Sequence, residues 1–163
     1  MTRQRIVFIA SLVLLAACTS ATETPTAAPT TATSTSVPAT EMPVSCQPSE
    51  ILESANSFPE IQGEMLSGGE LWALLFFQMA HVNEEAKIVW RITGEGGVFE
   101  AQAQSEAGTI LQPIWKQYHE SSTWERPGLE WGTGFNFPEP GCWTITITYG
   151  ETTGTISLDV LGS

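Results

Sequence analysis

After residue 60, apolar side chains return at every second position in short runs, broken by glycine, proline and acidic turns. A period of two sends alternate side chains to opposite faces of an extended strand. The end of the chain shows it best. Trp143, Ile145, Ile147 and Tyr149 alternate with Thr144, Thr146 and Thr148, and Gly150-Glu151-Thr152 turns into Thr153–Leu161, where Ile156, Leu158 and Val160 share a parity. That reads as a hairpin with one buried face. Upstream, Trp131, Phe135 and Phe137 share one parity, and Ile88, Trp90 and Ile92 mark a strand over Lys87–Thr93. Further strands are expected at Val98–Gln104, Thr109–Gln112 and, as an edge, Glu60–Ser67. Leu71–Val82 is apolar on both parities, so a single long strand covered on both faces is expected there. Pro48–Ala55 has room for one or two helical turns. Seven or so strands joined by hairpin turns predict an all-β fold, an antiparallel β-sandwich.

The amino-terminal quarter follows another rule. Arg3 and Arg5 precede a ten-residue apolar run, Ile6–Leu15, which is too short to span a bilayer and has the layout of a secretory signal. It ends in Leu15-Ala16-Ala17-Cys18, which resembles the lipobox of bacterial lipoproteins. The resemblance implies cleavage between Ala17 and Cys18, with a lipid such as palmitate on Cys18 as the membrane anchor. It places the protein in the cell envelope, facing outside the cytoplasm. Residues 19–45 are almost entirely Thr, Ser, Pro and Ala, too poor in apolar surface to offset the entropy of ordering, and are expected to form a disordered tether. The expected organisation is a signal peptide over 1–17, a lipidated cysteine and tether over 18–45, and a folded domain over 46–163.

Charge and cysteine count narrow this picture. Without residues 1–17 the chain keeps four basic residues (Lys87, Arg91, Lys116, Arg126) against eighteen acidic ones, a formal net charge of −14. Nucleic acid is therefore not an expected partner, because phosphate contacts need Lys and Arg. With Cys18 lipidated, Cys46 and Cys142 remain, and an even pair outside the cytoplasm reads as a disulfide.

One long stretch, Pro113–Glu130, lacks a clear period and gathers Trp115, Lys116, Tyr118, His119, Trp124, Glu125 and Arg126. Loops of that length are often functional. Trp115, Tyr118, His119, Trp124 and Arg126 are candidate ligand-binding residues, able to stack on sugar rings or a peptide and bond their polar edges. The other reading is that these rings cap one face of the sandwich, which would explain the doubly apolar Leu71–Val82. His81 and His119, with Met79, Glu84, Glu85 or Glu120, form a weaker alternative as a copper or zinc site. Glu120, Glu125 and Glu130 offer acid and base groups for a weak hydrolase only if two face each other. Neither a nucleophile with a visible base nor a phosphate-cradling glycine loop is present in the sequence. An enzyme is not expected, and no metal or cofactor is assigned.

The Trp90 strand, the Cys142-Trp143 strand and the final hairpin resemble an immunoglobulin-type sandwich. They are also similar to the carboxy-terminal domains of small bacterial lipoproteins with a Pro-x-Pro-Gly-Cys-Trp turn, here Pro138–Trp143. The resemblance implies the fold but no activity. It departs from antibody domains in its cysteines, since Cys46 lies upstream of the first strand and would staple the amino-terminal segment. The expected function is a membrane-anchored binding or interaction module for an envelope glycan or protein.

Overall fold

The computed structural model describes residues 46–52, 58–120 and 122–162. The signal peptide, Cys18, the tether and most of the Pro48–Ala55 segment lie outside the described residues. Eleven strands follow in chain order: β1 (Glu60–Gln62), β2 (Glu64–Ser67), β3 (Leu71–Leu75), β4 (Ala80–His81), β5 (Glu85–Ile92), β6 (Phe99–Ser105), β7 (Ile110–Leu111), β8 (Trp115–His119), β9 (Leu129–Asn136), β10 (Gly141–Tyr149) and β11 (Thr152–Leu161). They form two antiparallel sheets, ordered β1-β3-β5-β9-β8 and β2-β11-β10-β6-β7, with β4 joined in parallel to the end of β11. There is no helix among the described residues, and Leu52, inside the segment expected to turn helically, instead bridges Glu60.

Strict alternation explains the core. In β10 Trp143, Ile145 and Ile147 are fully buried while Thr144, Thr146 and Thr148 face out, and β11 repeats this with Ile156, Leu158 and Val160 inward. The two fully buried indoles each find an acceptor, Trp90 Nε1 donating to Thr133 Oγ1 (2.8 Å) and Trp143 Nε1 to the Glu139 carbonyl (3.1 Å), whereas the buried Nε1 groups of Trp124 and Trp131 have none among the described residues. A buried indole N–H left unpaired would carry a desolvation penalty of about 1–3 kcal/mol.

Two expected strands are each divided between the sheets. Glu60–Ser67 parts at Gly63, so that β1 pairs with β3 and β2 with β11. Leu71–Val82 is also not one strand. Its first five residues pair with β5, and the last ladder contact is made by Phe76 N–H on the Lys87 carbonyl. Beyond that the partner turns away at Asn83 (φ 60°), and the chain crosses to lay Ala80 and His81 beside Val160 and Leu161. The apolar residues of the crossing close one end of the sandwich, with Ala80 and Val82 in the core and Phe77 packed against it. Eleven strands stand where seven or so were expected, because each of these two crossings divides a run that composition presents as continuous and because Trp115–His119 forms a strand that no apolar alternation announces.

The bridge between Cys46 and Cys142 is formed, with Cα atoms 5.9 Å apart. It lies at the start of β10. From there Ser49 reaches the edge of β11, its N–H donating to the Ser157 carbonyl (2.8 Å) and its Oγ accepting from Ser157 N–H (2.9 Å). The disulfide staples this leading segment rather than joining the two sheets.

Candidate functional site

The Pro113–Glu130 stretch is not one irregular loop. Its first part is β8, the edge strand beside β9, in the register Trp115 to Gly134 and His119 to Glu130. Sequence reading misses this strand because Trp115-Lys116-Gln117-Tyr118-His119 shows no apolar alternation: both its faces lie at the rim, where burial does not sort residues. Parity then divides the candidate residues. Trp115 and His119 project to the outer face of this sheet, Lys116 and Tyr118 toward the other. Tyr118 stands against Trp131 (ring centroids 5.1 Å apart), which itself stacks on Phe99 (4.7 Å).

Trp115 lies over glycine. A Cβ at Gly134 would fall inside the indole, so only glycine lets the ring rest on the sheet, where Trp115 Nε1 donates to Glu85 Oε1 (2.8 Å). The ring fills the side-chain gap that glycine leaves on a strand.

The second part of the stretch, residues 122–128, is a strap across the same outer face. Trp124, 5% exposed, packs on Leu74 and Val89 with Trp72 alongside. Arg126 sits over the Trp72 ring (4.0 Å) and donates to Glu60 Oε2 from Nε (2.9 Å) and Nη2 (2.7 Å). This covering is why β3 is apolar on both faces. At the root of the strap lies Glu130, 3% exposed, which sequence reading had only as one of three loop glutamates. Its carboxylate takes Arg91 Nε (2.9 Å), His119 Nδ1 (3.1 Å) and the Ser122 hydroxyl. Arg91 in turn donates to the Gly128 (2.9 Å) and Trp124 (3.1 Å) carbonyls. The chain leaves the strap through Gly128 (φ +97°), where any Cβ would run into the Ile92 carbonyl. A buried carboxylate answered by a guanidinium and two further donors acts as a clasp.

The weaker candidates do not assemble. Among the described residues no group of three His, Cys, Asp or Glu side chains is placed to hold a metal ion. His81 is on β4 and His119 on β8, in different sheets. Of the three loop glutamates, Glu130 is enclosed by its partners while Glu120 and Glu125 are exposed.

Open space lies on the other side of β8. A groove of ≈ 580 Å³ runs between three consecutive residues of β6 (Glu100, Ala101, Gln102) and the crossing from β7 to β8 (Gln112, Pro113), with Lys116 of β8 beside it. Thr146 and Thr148 of β10 extend its floor, and Trp115 contributes to its wall. Lys116 spans one end, its Nζ donating to the Phe99 carbonyl (3.0 Å). Sequence reading gave Lys116 no role, and the two glutamines and two threonines carried no signal beyond strand polarity.

No protein-family model matches the chain, and no curated protein matches it. The chain is similar to a crystal structure from Bacillus anthracis described as that of a candidate lipoprotein, at 14% identity over 72% of this chain and 88% of that one, with a TM-score of 0.48.

Proposed function

We propose that this protein is a lipid-anchored extracytoplasmic binding module that uses the groove beside β8 as its recognition surface. The Leu15-Ala16-Ala17-Cys18 motif supports the anchor and the envelope location, and residues 19–45 supply a stalk. The observation that carries the reading is the groove itself: ≈ 580 Å³ of open space bordered by the polar side chains of Glu100, Gln102, Gln112, Thr146 and Thr148, in a fold whose aromatic-rich outer face is closed by its own strap. Concave sites with a few convergent polar groups are where small proteins hold ligands. Of the five candidate binding residues, Trp115 borders this space. Trp124 and Arg126 serve the strap.

Thr146→Arg tests it. The residue is half-exposed on an outer face, so a long side chain fills the groove without touching the core. The full-length variant in detergent is expected to retain its unfolding midpoint and to lose at least about tenfold in affinity for solubilised envelope material, a change of roughly 1.4 kcal/mol. Equal binding by the variant and the parent would remove the groove from the proposal.

A further inference from the structure

We infer that the groove takes an extended, positively charged polypeptide segment, added as a short strand where the edge of β6 is unpaired at Ala101; this rests on the groove being the recognition surface. The argument begins with the hydrogen-bond alternation of an antiparallel ladder, in which every second residue directs both main-chain groups to the same neighbour. Toward β7, Ala103 stands opposite Leu111, and Ser105 N–H donates to the Thr109 carbonyl (3.0 Å). Residues 99, 101, 103 and 105 therefore aim their N–H and C=O groups at the β7 side, and the Phe99 carbonyl is indeed found there, held by Lys116. Ala101 is the exception. Continuing the register would bring Pro113 opposite it, but proline has no N–H to give, β7 ends at Leu111, and no main-chain bond from Ala101 to that side exists among the described residues. This N–H and C=O are unpaired although Ala101 is only 3% exposed, and they border the groove in the plane of the sheet, where an entering strand would complete them.

The chemistry of the walls selects the occupant. A sugar would need a ring to stack on, but the Trp115 indole is turned onto Gly134 and tied to Glu85 on the outer face of the other sheet. A polypeptide needs only the paired donor and acceptor that Ala101 offers. Glu100 is exposed at the groove, Lys116 is already engaged, and the mature chain carries −14, so a segment bearing Lys or Arg is attracted and an acidic one repelled.

The test uses full-length protein in non-ionic detergent and four probes. These are an acetylated, amidated Thr-Lys-Thr-Lys-Thr-Lys-Thr peptide, its Glu-for-Lys counterpart, the Lys peptide N-methylated at every residue so that neither edge can donate, and a neutral glucan oligosaccharide. The expected result is that the Lys peptide alone slows hydrogen exchange at the Ala101 amide, by at least about tenfold. Glu100→Lys, an exposed change, is expected to weaken that peptide at least about tenfold. Equal binding by the N-methylated peptide overturns strand addition in favour of charge alone, and protection of Ala101 by the oligosaccharide overturns the choice of a polypeptide. No protection by any probe, while Thr146→Arg still abolishes envelope binding, defeats strand addition and leaves the groove standing. If Thr146→Arg is also without effect, both readings fall.

Discussion

Glu130→Ala is expected to destabilise the domain by about 3–5 kcal/mol, the cost of stranding a buried charge whose partner has been removed. Arg91 is the stranded group: its side chain is 16% exposed and its Nε faces the Glu130 carboxylate. The loss spreads, because Arg91 and Ser122 hold the strap that seats Trp124 on Leu74 and Val89. Guanidinium unfolding should show a lower midpoint, and chymotrypsin should cut after Trp124 in the variant faster than in the parent. Glu130→Gln keeps the shape and part of the hydrogen bonding, so its effect is expected to be smaller. A variant as stable as the parent would show that the clasp is decoration.

The second large effect is expected from the disulfide. Replacing Cys46 and Cys142 together by alanine should cost about 4–5 kcal/mol on the chain-entropy model, because the bridge joins residues 96 apart and closes most of the domain into one loop. The substitution removes little packing on the Cys46 side, which is only partly buried, so the loss belongs mainly to the unfolded chain. Equilibrium unfolding of the double variant against the oxidised parent measures it. A difference below about 1 kcal/mol would mean that the unfolded chain is already compact without the bridge.

The two effects differ in how far the sequence announces them. The cysteine pair is legible from its number and from the lipobox-like motif upstream, and the sheet that holds it is legible too, since β10 and β11 alternate without a break. The doubly apolar Leu71–Val82 correctly signals burial on both sides, but its cover is not a sheet. It is the 122–128 strap, whose anchoring depends on two separate pairs, Arg91 meeting Glu130 and Arg126 meeting Glu60, drawn from distant parts of the chain. No local pattern encodes that meeting. The same holds for Trp115, whose place is set by the missing side chain of Gly134 across the ladder. The groove is the least legible feature. It exists because Pro113 stops a strand, and the consequence falls on Ala101, twelve residues earlier and without any distinguishing chemistry of its own.

Cys46 and Cys142 also decide how the domain meets mechanical load. Tension drawn along the chain from its amino-terminal side does not peel β1 from its edge; it passes through the sulfur bridge to the first residues of β10, a strand flanked on both sides. While the bridge holds, residues 46–142 form a closed ring that cannot lengthen, and only 143–163 can pay out, roughly 70 Å at full extension. Once it is cut, everything from 46 onward can unravel, roughly 400 Å. Pulled between its two termini, the oxidised domain behaves as a short-travel link and the reduced one as a long slack cord.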